Sequence, residues 1–156
     1  MIELLRELKL AYPAINFVTG PVFSWSPKTC QVIYKEAALG DELAAWSLFH
    51  EVGHALLEHN DYFSDFQLLL LEVAAWEKAK SLAKSFNYSI DPDHIQDCLD
   101  TYRDWLYQRS TCPTCTNCSL QTNSKTYQCF KCGTIWRVSS SRMCRPYRRK
   151  TEALVH

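Results

Sequence analysis

Residues that interrupt regular secondary structure are scarce in this sequence. Its 156 residues include only 4 Gly and 6 Pro, whereas 47% are hydrophobic and 13% are aromatic. Disordered chains have the opposite balance, because they lack the apolar side chains whose burial offsets the entropy of ordering. The composition excludes a disordered chain and predicts one ordinary core with a small accessory module.

Long hydrophobic runs and a secretory leader are also missing. The purely apolar stretches are short, residues 68–71 being typical, whereas a helix needs roughly 20 apolar residues to cross a bilayer. Residues 1–17 carry acidic side chains within their apolar pattern and lack the basic start and cleavage site of a secretory signal. We expect a soluble, cytoplasmic protein without a membrane partner.

Acidic residues are absent from one long segment of the chain. Residues 109–150 contain nine Lys or Arg and no Asp or Glu, whereas residues 1–108 contain eight basic and 16 acidic residues, a balance of 8 − 16 = −8. The charge of +9 in the later segment falls to about +7 if a zinc ion with four thiolates is included. This asymmetry predicts an anionic partner such as nucleic acid, or docking of the basic segment onto the acidic body.

Cysteines are concentrated in the basic segment, where five of the eight lie between Cys112 and Cys132. Two Cys-x-x-Cys pairs, Cys112 with Cys115 and Cys129 with Cys132, are separated by 13 residues. This spacing is typical of a structural zinc site with four thiolate ligands and no open position for water. Because no secretory leader is present, we predict a zinc ribbon in a reducing compartment instead of a disulfide framework.

The other cysteines leave one alternative open. Residues 115–118 form a further Cys-x-x-Cys knuckle, so Cys118 could replace one of the ribbon ligands. We prefer the pair Cys112 and Cys115, because a knuckle that contains proline is the common ribbon form. Three cysteines without a surrounding motif are predicted to be unpaired thiols: Cys30, Cys98 and Cys144.

Basic and large apolar residues alternate after the ribbon cysteines. This pattern suits contacts with phosphates and stacking on bases, although a solvated tail would show it too. We therefore treat nucleic-acid binding by this segment as a hypothesis. The residues concerned are Trp136, Arg137, Arg142, Met143, Arg145, Tyr147, Arg148, Arg149 and Lys150.

Hydrophobic periodicity predicts an α+β fold. β-branched and aromatic residues on either side of the turn-like segment 26–29 indicate a hairpin, and Asp41 is a suitable N-cap for the helix that follows it. Apolar residues at helical spacing predict four helices, over about residues 1–11, 41–58, 61–86 and 91–109. We place a domain boundary after Arg109, with the main domain over residues 1–109 and a zinc ribbon with a basic tail over residues 110–150.

The second predicted helix contains the motif His50-Glu51-Val52-Gly53-His54. Residues four apart on an α-helix differ by about 40° in direction, so His50 and His54 can bind one metal ion. Glu51 lies beside the first histidine, where its carboxylate can take a proton from a water molecule at the metal. A catalytic zinc and a general base explain why these residue types occur together.

A catalytic zinc site needs a third protein ligand, and we choose Glu72 on the next helix. Ala75 and Ala79 continue the same side of that helix, so it can approach the motif helix closely. Glu77 is less suitable, because it is rotated by about 140° from Glu72. Weaker candidates are His59, which is turned away from the metal-binding face, Asp61 and Asp65. Tyr34, His59 and Tyr62 could each stabilise the carbonyl oxygen of a substrate, and the sequence does not rank them.

Together, residues 48–57 and residues 72–76 resemble the ImmA/IrrE group of zinc peptidases over roughly residues 14–86. The resemblance implies a compact, zincin-like α+β core, Glu72 as the third ligand, and cleavage of a regulatory protein. A terminal zinc ribbon departs from many members of the group, and no helix-turn-helix segment is recognisable.

The sequence thus predicts a regulatory zinc endopeptidase with one catalytic and one structural zinc, Glu51 as general base, and a ribbon that recruits a protein or nucleic-acid target. One alternative is a SprT-like protease acting on DNA-bound proteins, which that family's histidine third ligand disfavours. Another is a non-catalytic zinc-ribbon adaptor or DNA-binding protein, although such a protein would not need Glu51.

Overall fold

The protein has an α+β fold, as predicted. The computed structural model describes residues 2–38, 40–140 and 148–151, without the side chain of Ile2. Within these residues it has four α-helices, a short 3₁₀ helix over Glu36–Ala38, and two small β-sheets. The helices are α1 (Ile2–Ala11), α2 (Glu42–Leu56), α3 (Asp65–Ser85) and α4 (Pro92–Ser110). The strands are β1 (Asn16–Thr19), β2 (Ser24–Ser26), β3 (Gln31–Tyr34), β4 (Gln121–Asn123), β5 (Thr126–Gln128), β6 (Ile135–Val138) and β7 (Arg148–Thr151).

The helices agree with the predicted segments to within a few residues. Asp41 caps α2 as expected, because its side chain accepts a hydrogen bond from the backbone N–H of Leu43. Three apolar residues of α1 are buried, which gives that helix the predicted inward stripe: Leu4, Leu5 and Leu8.

The first sheet has the strand order β1-β3-β2. Strands β2 and β3 are antiparallel, with Trp25 opposite Val32, so they form the predicted hairpin. Strand β1 pairs in parallel with β3, which the sequence did not predict. Only Phe17 is buried in β1, so its four residues carry too little alternation to identify a strand.

Contacts along the chain divide it into two compact units. We call Met1–Asp61 with Leu71–Ile95 the body unit, and Tyr62–Leu70 with Gln96–His156 the ribbon unit. The ribbon unit therefore includes the start of α3 and most of α4 as well as the cysteine segment. The predicted division into domains 1–109 and 110–150 remains a prediction, and so does a zincin-like core.

Helix α2 is the central element of the body unit. Nine of its 15 residues are buried, so the histidine motif lies in a helix that is covered on most sides. Gly53 explains how closely α3 approaches it. A Cβ atom on Gly53 would lie 2.7 Å from the backbone oxygen of Ala75 on α3, a distance that side chains do not tolerate.

The second sheet belongs to the ribbon unit and has the order β4-β5-β6-β7, with all neighbours antiparallel. Tyr127 of β5 lies opposite Trp136 of β6, and the two rings stack with their centroids 5.5 Å apart. With Val138 and the cysteines Cys112 and Cys129 they form a small core. A core of this size is typical of a module that depends on a metal ion for stability.

A buried ion pair joins two helices inside the ribbon unit. Arg109 donates to both carboxylate oxygens of Asp65, at 2.6 and 3.2 Å, and the Tyr127 hydroxyl donates to the same carboxylate. Burial and the Asp65 carboxylate both raise the pKa of Tyr127. Because the charges satisfy each other, Asp65 serves this network and is not free to bind a metal ion.

No helix in the described part of the chain is long and apolar enough to span a membrane.

Candidate metal centres

His50 and His54 both point from α2 toward one position in the body unit. Their Nε2 atoms are 3.1 Å apart, and their ring planes are nearly perpendicular, at 85°. The His50 ring also packs against the Trp76 ring, with 4.2 Å between centroids. Spacing of four residues on a helix thus brings the two imidazoles together as the sequence predicts.

Glu72 of α3 completes this group. One of its carboxylate oxygens lies 3.2 Å from Nε2 of His50 and 3.6 Å from Nε2 of His54, and the Glu72 side chain is buried. The three residues could hold a metal ion, since one ligand atom of each lies within 4.8 Å of the others. The structure therefore brings the three predicted ligands of the catalytic site together.

The distances within this group fit a tetrahedral metal ion. With metal–nitrogen and metal–oxygen bonds of about 2.0–2.1 Å, the ligand atoms of such a site lie about 3.3 Å apart. The observed separations of 3.1, 3.2 and 3.6 Å are close to this value. Three protein ligands leave the fourth position open, which is the pattern of catalytic and not of structural zinc sites.

The ionisation state of Glu72 also suits a metal ligand. Burial acts to raise its pKa, but hydrogen bonds from His50 and His54, together with their charges, lower the pKa to about 2. Glu72 is thus an ionised carboxylate at neutral pH, as metal coordination requires.

Glu51 lies on α2 next to the first histidine of the group. Burial raises its pKa above the usual value for a glutamate, and the Glu72 charge acts in the same direction. The charges of His50 and His54 and a hydrogen bond from the Trp25 backbone oppose this shift. A carboxylate with a raised pKa is a better proton acceptor, and this is the property a general base needs.

His59 contacts the site in a way that the sequence did not indicate. Helix α2 ends at Leu56, Glu58 adopts a left-handed φ of 53°, and the His59 backbone N–H then donates to the carbonyl of His54. This turn brings Nδ1 of His59 to 2.8 Å from Nδ1 of His54. The indole of Trp25 donates to the His59 carbonyl at 2.8 Å and fixes the turn.

The arrangement makes His59 a partner of a ligand and not a ligand itself. Metal-bound histidines use one ring nitrogen for the metal and donate from the other, which orients the ring. His54 presents Nε2 to His50 and Glu72, so its Nδ1 is the atom left to donate to His59. Burial lowers the pKa of His59, as does the nearby His54, which keeps its ring neutral and able to accept.

The remaining rival ligands lie elsewhere. Glu77 forms an exposed ion pair with Lys80 at 2.7 Å, and Asp65 is paired with Arg109. Asp61 is exposed and does not belong to a possible metal-binding group among the described residues. The choice of Glu72 over these residues is consistent with the structure.

Four cysteines converge in the ribbon unit and could hold a second metal ion. Sγ of Cys112 lies 3.6 Å from Sγ of Cys132, and Sγ of Cys115 lies 3.5 Å from Sγ of Cys129. Disulfide sulfurs are only about 2.05 Å apart, whereas the thiolates of a tetrahedral zinc site, with bonds of about 2.3 Å, are about 3.8 Å apart. The separations therefore fit a metal site.

Backbone N–H groups stabilise thiolates in both knuckles. The N–H of Cys132 lowers the pKa of Cys129 to about 6, against an opposing effect of burial and with help from the N–H of Lys131. Thr114 donates its backbone N–H to Sγ of Cys112 at 3.4 Å. Thiolates are the form of cysteine that binds a metal ion, so this local structure prepares the ligands.

Cys118 lies outside this group. Its exposed thiol is 3.9 Å from the Thr111 hydroxyl, and Thr111 and Cys118 form an isolated β-bridge. Among the described residues, the four convergent thiols are those of the preferred set.

Some of the alternating basic and aromatic residues that follow the ribbon cysteines are not available for binding. Trp136 is completely buried, so it cannot stack on a base. Arg148 donates to the carbonyl of Thr111 at 2.8 Å. Several residues of this pattern lie outside the described part of the chain: Arg142, Met143, Cys144, Arg145 and Tyr147.

Comparisons with known proteins give no match, since no family model fits the chain and no curated protein or solved structure is significantly similar to it.

Proposed function

We propose that this protein is a zinc-dependent endopeptidase. One observation carries the proposal: His50, His54 and Glu72 converge on one position, and Glu51 lies next to His50 on α2. Two neutral imidazoles, a carboxylate and an open fourth position form the ligand set of many hydrolytic zinc sites. The resemblance of residues 48–57 and 72–76 to the ImmA/IrrE peptidases supports the same reading.

The chain's own residues would divide the chemistry among them. Zinc bound to His50, His54 and Glu72 would polarise the substrate carbonyl and lower the pKa of bound water to about 7. Glu51 would take the proton of the attacking water on a carboxylate oxygen and deliver it to the leaving amine nitrogen. His59 would hold the His54 ring in the orientation that presents Nε2 to the metal.

Glu51 is the residue that favours an enzyme over a metal-stabilised adaptor. It is a partly buried carboxylate whose pKa is raised by burial. This burial costs folding free energy, and a role in catalysis would explain why the residue is there. An adaptor would need only the three ligands. A SprT-like protease remains the second enzyme candidate. The grouping of Glu72 with His50 and His54 speaks against it, because that family has histidine as its third ligand.

The four-cysteine group has a different proposed role. Four thiolates close the coordination sphere, so this zinc would stabilise the ribbon unit and would not activate water. We propose that the peptidase acts on a regulatory protein and that the ribbon helps to recruit the target.

A substitution of Glu51 tests the proposal. Glu51→Gln keeps the shape of the side chain but removes the base, so we expect both zinc ions to stay bound while cleavage of a proteome-derived peptide library falls at least about 100-fold. Glu42→Gln changes an exposed glutamate in the first turn of α2 and serves as the matched control. Equal cleavage by the Glu51→Gln and wild-type proteins would refute the proposed mechanism. Absence of cleavage by the zinc-loaded wild type would favour the adaptor.

A further inference from the structure

A groove lined by cations crosses the sheet of the ribbon unit. It has a volume of about 760 Å³, and its lining combines four basic side chains with small polar residues and one apolar side chain, Val138. The basic residues are Lys125, Arg137, Arg149 and Lys150. The small polar residues are Ser139, Ser140 and Thr151. A concave surface with charge of one sign concentrates the electrostatic field, so this groove should attract anions.

Two of the arginines are paired directly across neighbouring strands. Arg137 on β6 lies opposite Arg149 on β7, so the two side chains project from the same face of the sheet. Like charges in directly opposite positions destabilise a sheet. An anion bound between the two guanidinium groups would remove this repulsion. The pairing therefore favours anion binding, although it does not help the sheet to form.

No carboxylate of the described residues neutralises these cations. None of the ion pairs formed within the described residues includes any of the four. Residues 110–151 also contain no Asp or Glu at all. Two other arginines of the ribbon unit are already engaged, Arg109 with Asp65 and Arg148 with the Thr111 carbonyl. Within the described part of the chain, the groove cations thus have no carboxylate partner.

We infer that this groove binds the phosphate backbone of double-stranded nucleic acid without regard to sequence. Arginine is suited to phosphate because its guanidinium donates two parallel hydrogen bonds to two oxygens. Serine hydroxyls are common phosphate donors, and Ser139 and Ser140 also line the groove.

Single-stranded nucleic acid fits the groove less well than a duplex. Binding of single strands depends on exposed aromatic rings on which bases stack. None of the described lining residues is aromatic, and Trp136 of β6 is buried under the sheet. An acidic peptide is also disfavoured, because peptide recognition usually adds pockets for apolar side chains, and Val138 is the one apolar residue in the lining. The inference does not depend on the peptidase activity.

The salt dependence of duplex binding is the quantity to measure. We would titrate a fluorescent 20-base-pair DNA duplex with the zinc-loaded full-length protein between 50 and 200 mM salt, and follow anisotropy. Lys150 lies opposite Trp136 and so projects from the other face of the sheet than the two paired arginines. Each phosphate contact contributes about −0.9 to the slope of log K against log salt, so Lys125, Arg137 and Arg149 predict a slope of about −2 to −3. The variant Arg137→Gln with Arg149→Gln should bind at least about tenfold more weakly at 100 mM salt, with a slope less steep by about two.

Lys84→Gln is the matched control, because Lys84 is an exposed lysine in the last turn of α3 and lies outside the groove lining. It should leave both affinity and slope unchanged. Should the double variant lose its zinc, Lys125→Gln in the turn before β5 provides an independent test, with a slope less steep by about one. The inference would be overturned by no duplex binding below about 100 μM at 50 mM salt, or by equal binding of the variants and the wild type. Tighter binding of the matching single strand would overturn it too. So would displacement of the labelled duplex by poly-glutamate as effectively as by unlabelled duplex.

Discussion

His59 shows how one side chain can support a metal ligand without touching the metal. Its Nδ1 faces Nδ1 of His54, so it would accept a hydrogen bond from the N–H that a metal-bound His54 carries on that nitrogen. Partners of this kind fix both the tautomer and the direction of the ligand ring. The sequence placed His59 away from the metal-binding face, which is correct for an α-helix, but the helix ends before this residue.

His59→Phe should weaken zinc binding at the histidine site by about 10–100-fold, because the ring is kept while the acceptor nitrogen is lost. His59→Gln should recover part of the affinity, since its side-chain oxygen can still accept from Nδ1 of His54. Competition with a chelator of known affinity measures both values. Zinc at the four-cysteine site is the internal control, and equal losses in the two variants would show that the contact has only a packing role.

Glu72 should make the stability of the metal-free protein depend on pH. Its pKa is depressed in the folded state to about 2 from an ordinary 4.5, so its ionised form stabilises the fold. This contribution is complete above the ordinary pKa and is lost as the pH falls from about 4.5 toward 2.

Glu72→Gln lacks this group, so the difference in unfolding free energy between wild type and variant should shrink as the pH falls through that window. Denaturant unfolding of the chelated proteins at several pH values between 2 and 6 measures the difference. A gap that stays constant or widens on acidification would contradict the depressed pKa.

Among the secondary-structure elements, the contact between α2 and α3 determines whether the candidate metal ligands can meet. Gly53 lies beside the backbone of Ala75, and Ala79 is also buried on α3, so the absence of side chains lets the helices approach. His50 and His54 come from one helix and Glu72 from the other. The separation of the helices therefore sets the distance between the ligands.

Gly53→Ala should force these helices apart, because the added Cβ would meet a backbone oxygen that cannot rotate away. We expect a loss of about 1–3 kcal/mol in the free energy of unfolding, despite the better helix propensity of alanine. Zinc binding at the histidine site should weaken in parallel. Ser47→Ala, at a partly exposed position of α2, is the control. A Gly53→Ala protein more stable than wild type would show that α2 and α3 do not meet as described.

How far the sequence predicts these elements depends on their length and on the range of their contacts. The helices are long enough to show a clear apolar period, so the predicted helix bounds lie within a few residues of the observed ones. Strands β1, β4 and β7 have three or four residues each and carry no readable alternation. The network of Asp65, Arg109 and Tyr127 joins residues far apart in sequence, and no local pattern indicates it.

The residues of the candidate sites also differ in how far the sequence predicts them. The two histidines and Glu51 follow from spacing on one helix, whereas the choice of Glu72 needed an assumption about how two helices pack. Cys112, Cys115, Cys129 and Cys132 follow from two local motifs. The pairing of Arg137 with Arg149 depends on the register between β6 and β7, which three-dimensional structure alone reveals.

The whole molecule combines two candidate metal sites with opposite designs. One would leave a position open at the metal beside a partly buried glutamate, and the other would be closed by four sulfurs. The basic groove adds a third feature, and it belongs to the ribbon unit, as the four-cysteine site does. On the functions proposed above, the groove would bind a target separately from the hydrolytic centre.

The zinc content of the purified protein tests this account most directly. Mass spectrometry and elemental analysis should find two zinc ions per wild-type chain. His50→Ala with His54→Ala should lower the content to one, and so should Cys112→Ala with Cys129→Ala. If only the cysteine variant lost zinc, and the histidine site bound no other metal, the proposed peptidase centre would be contradicted.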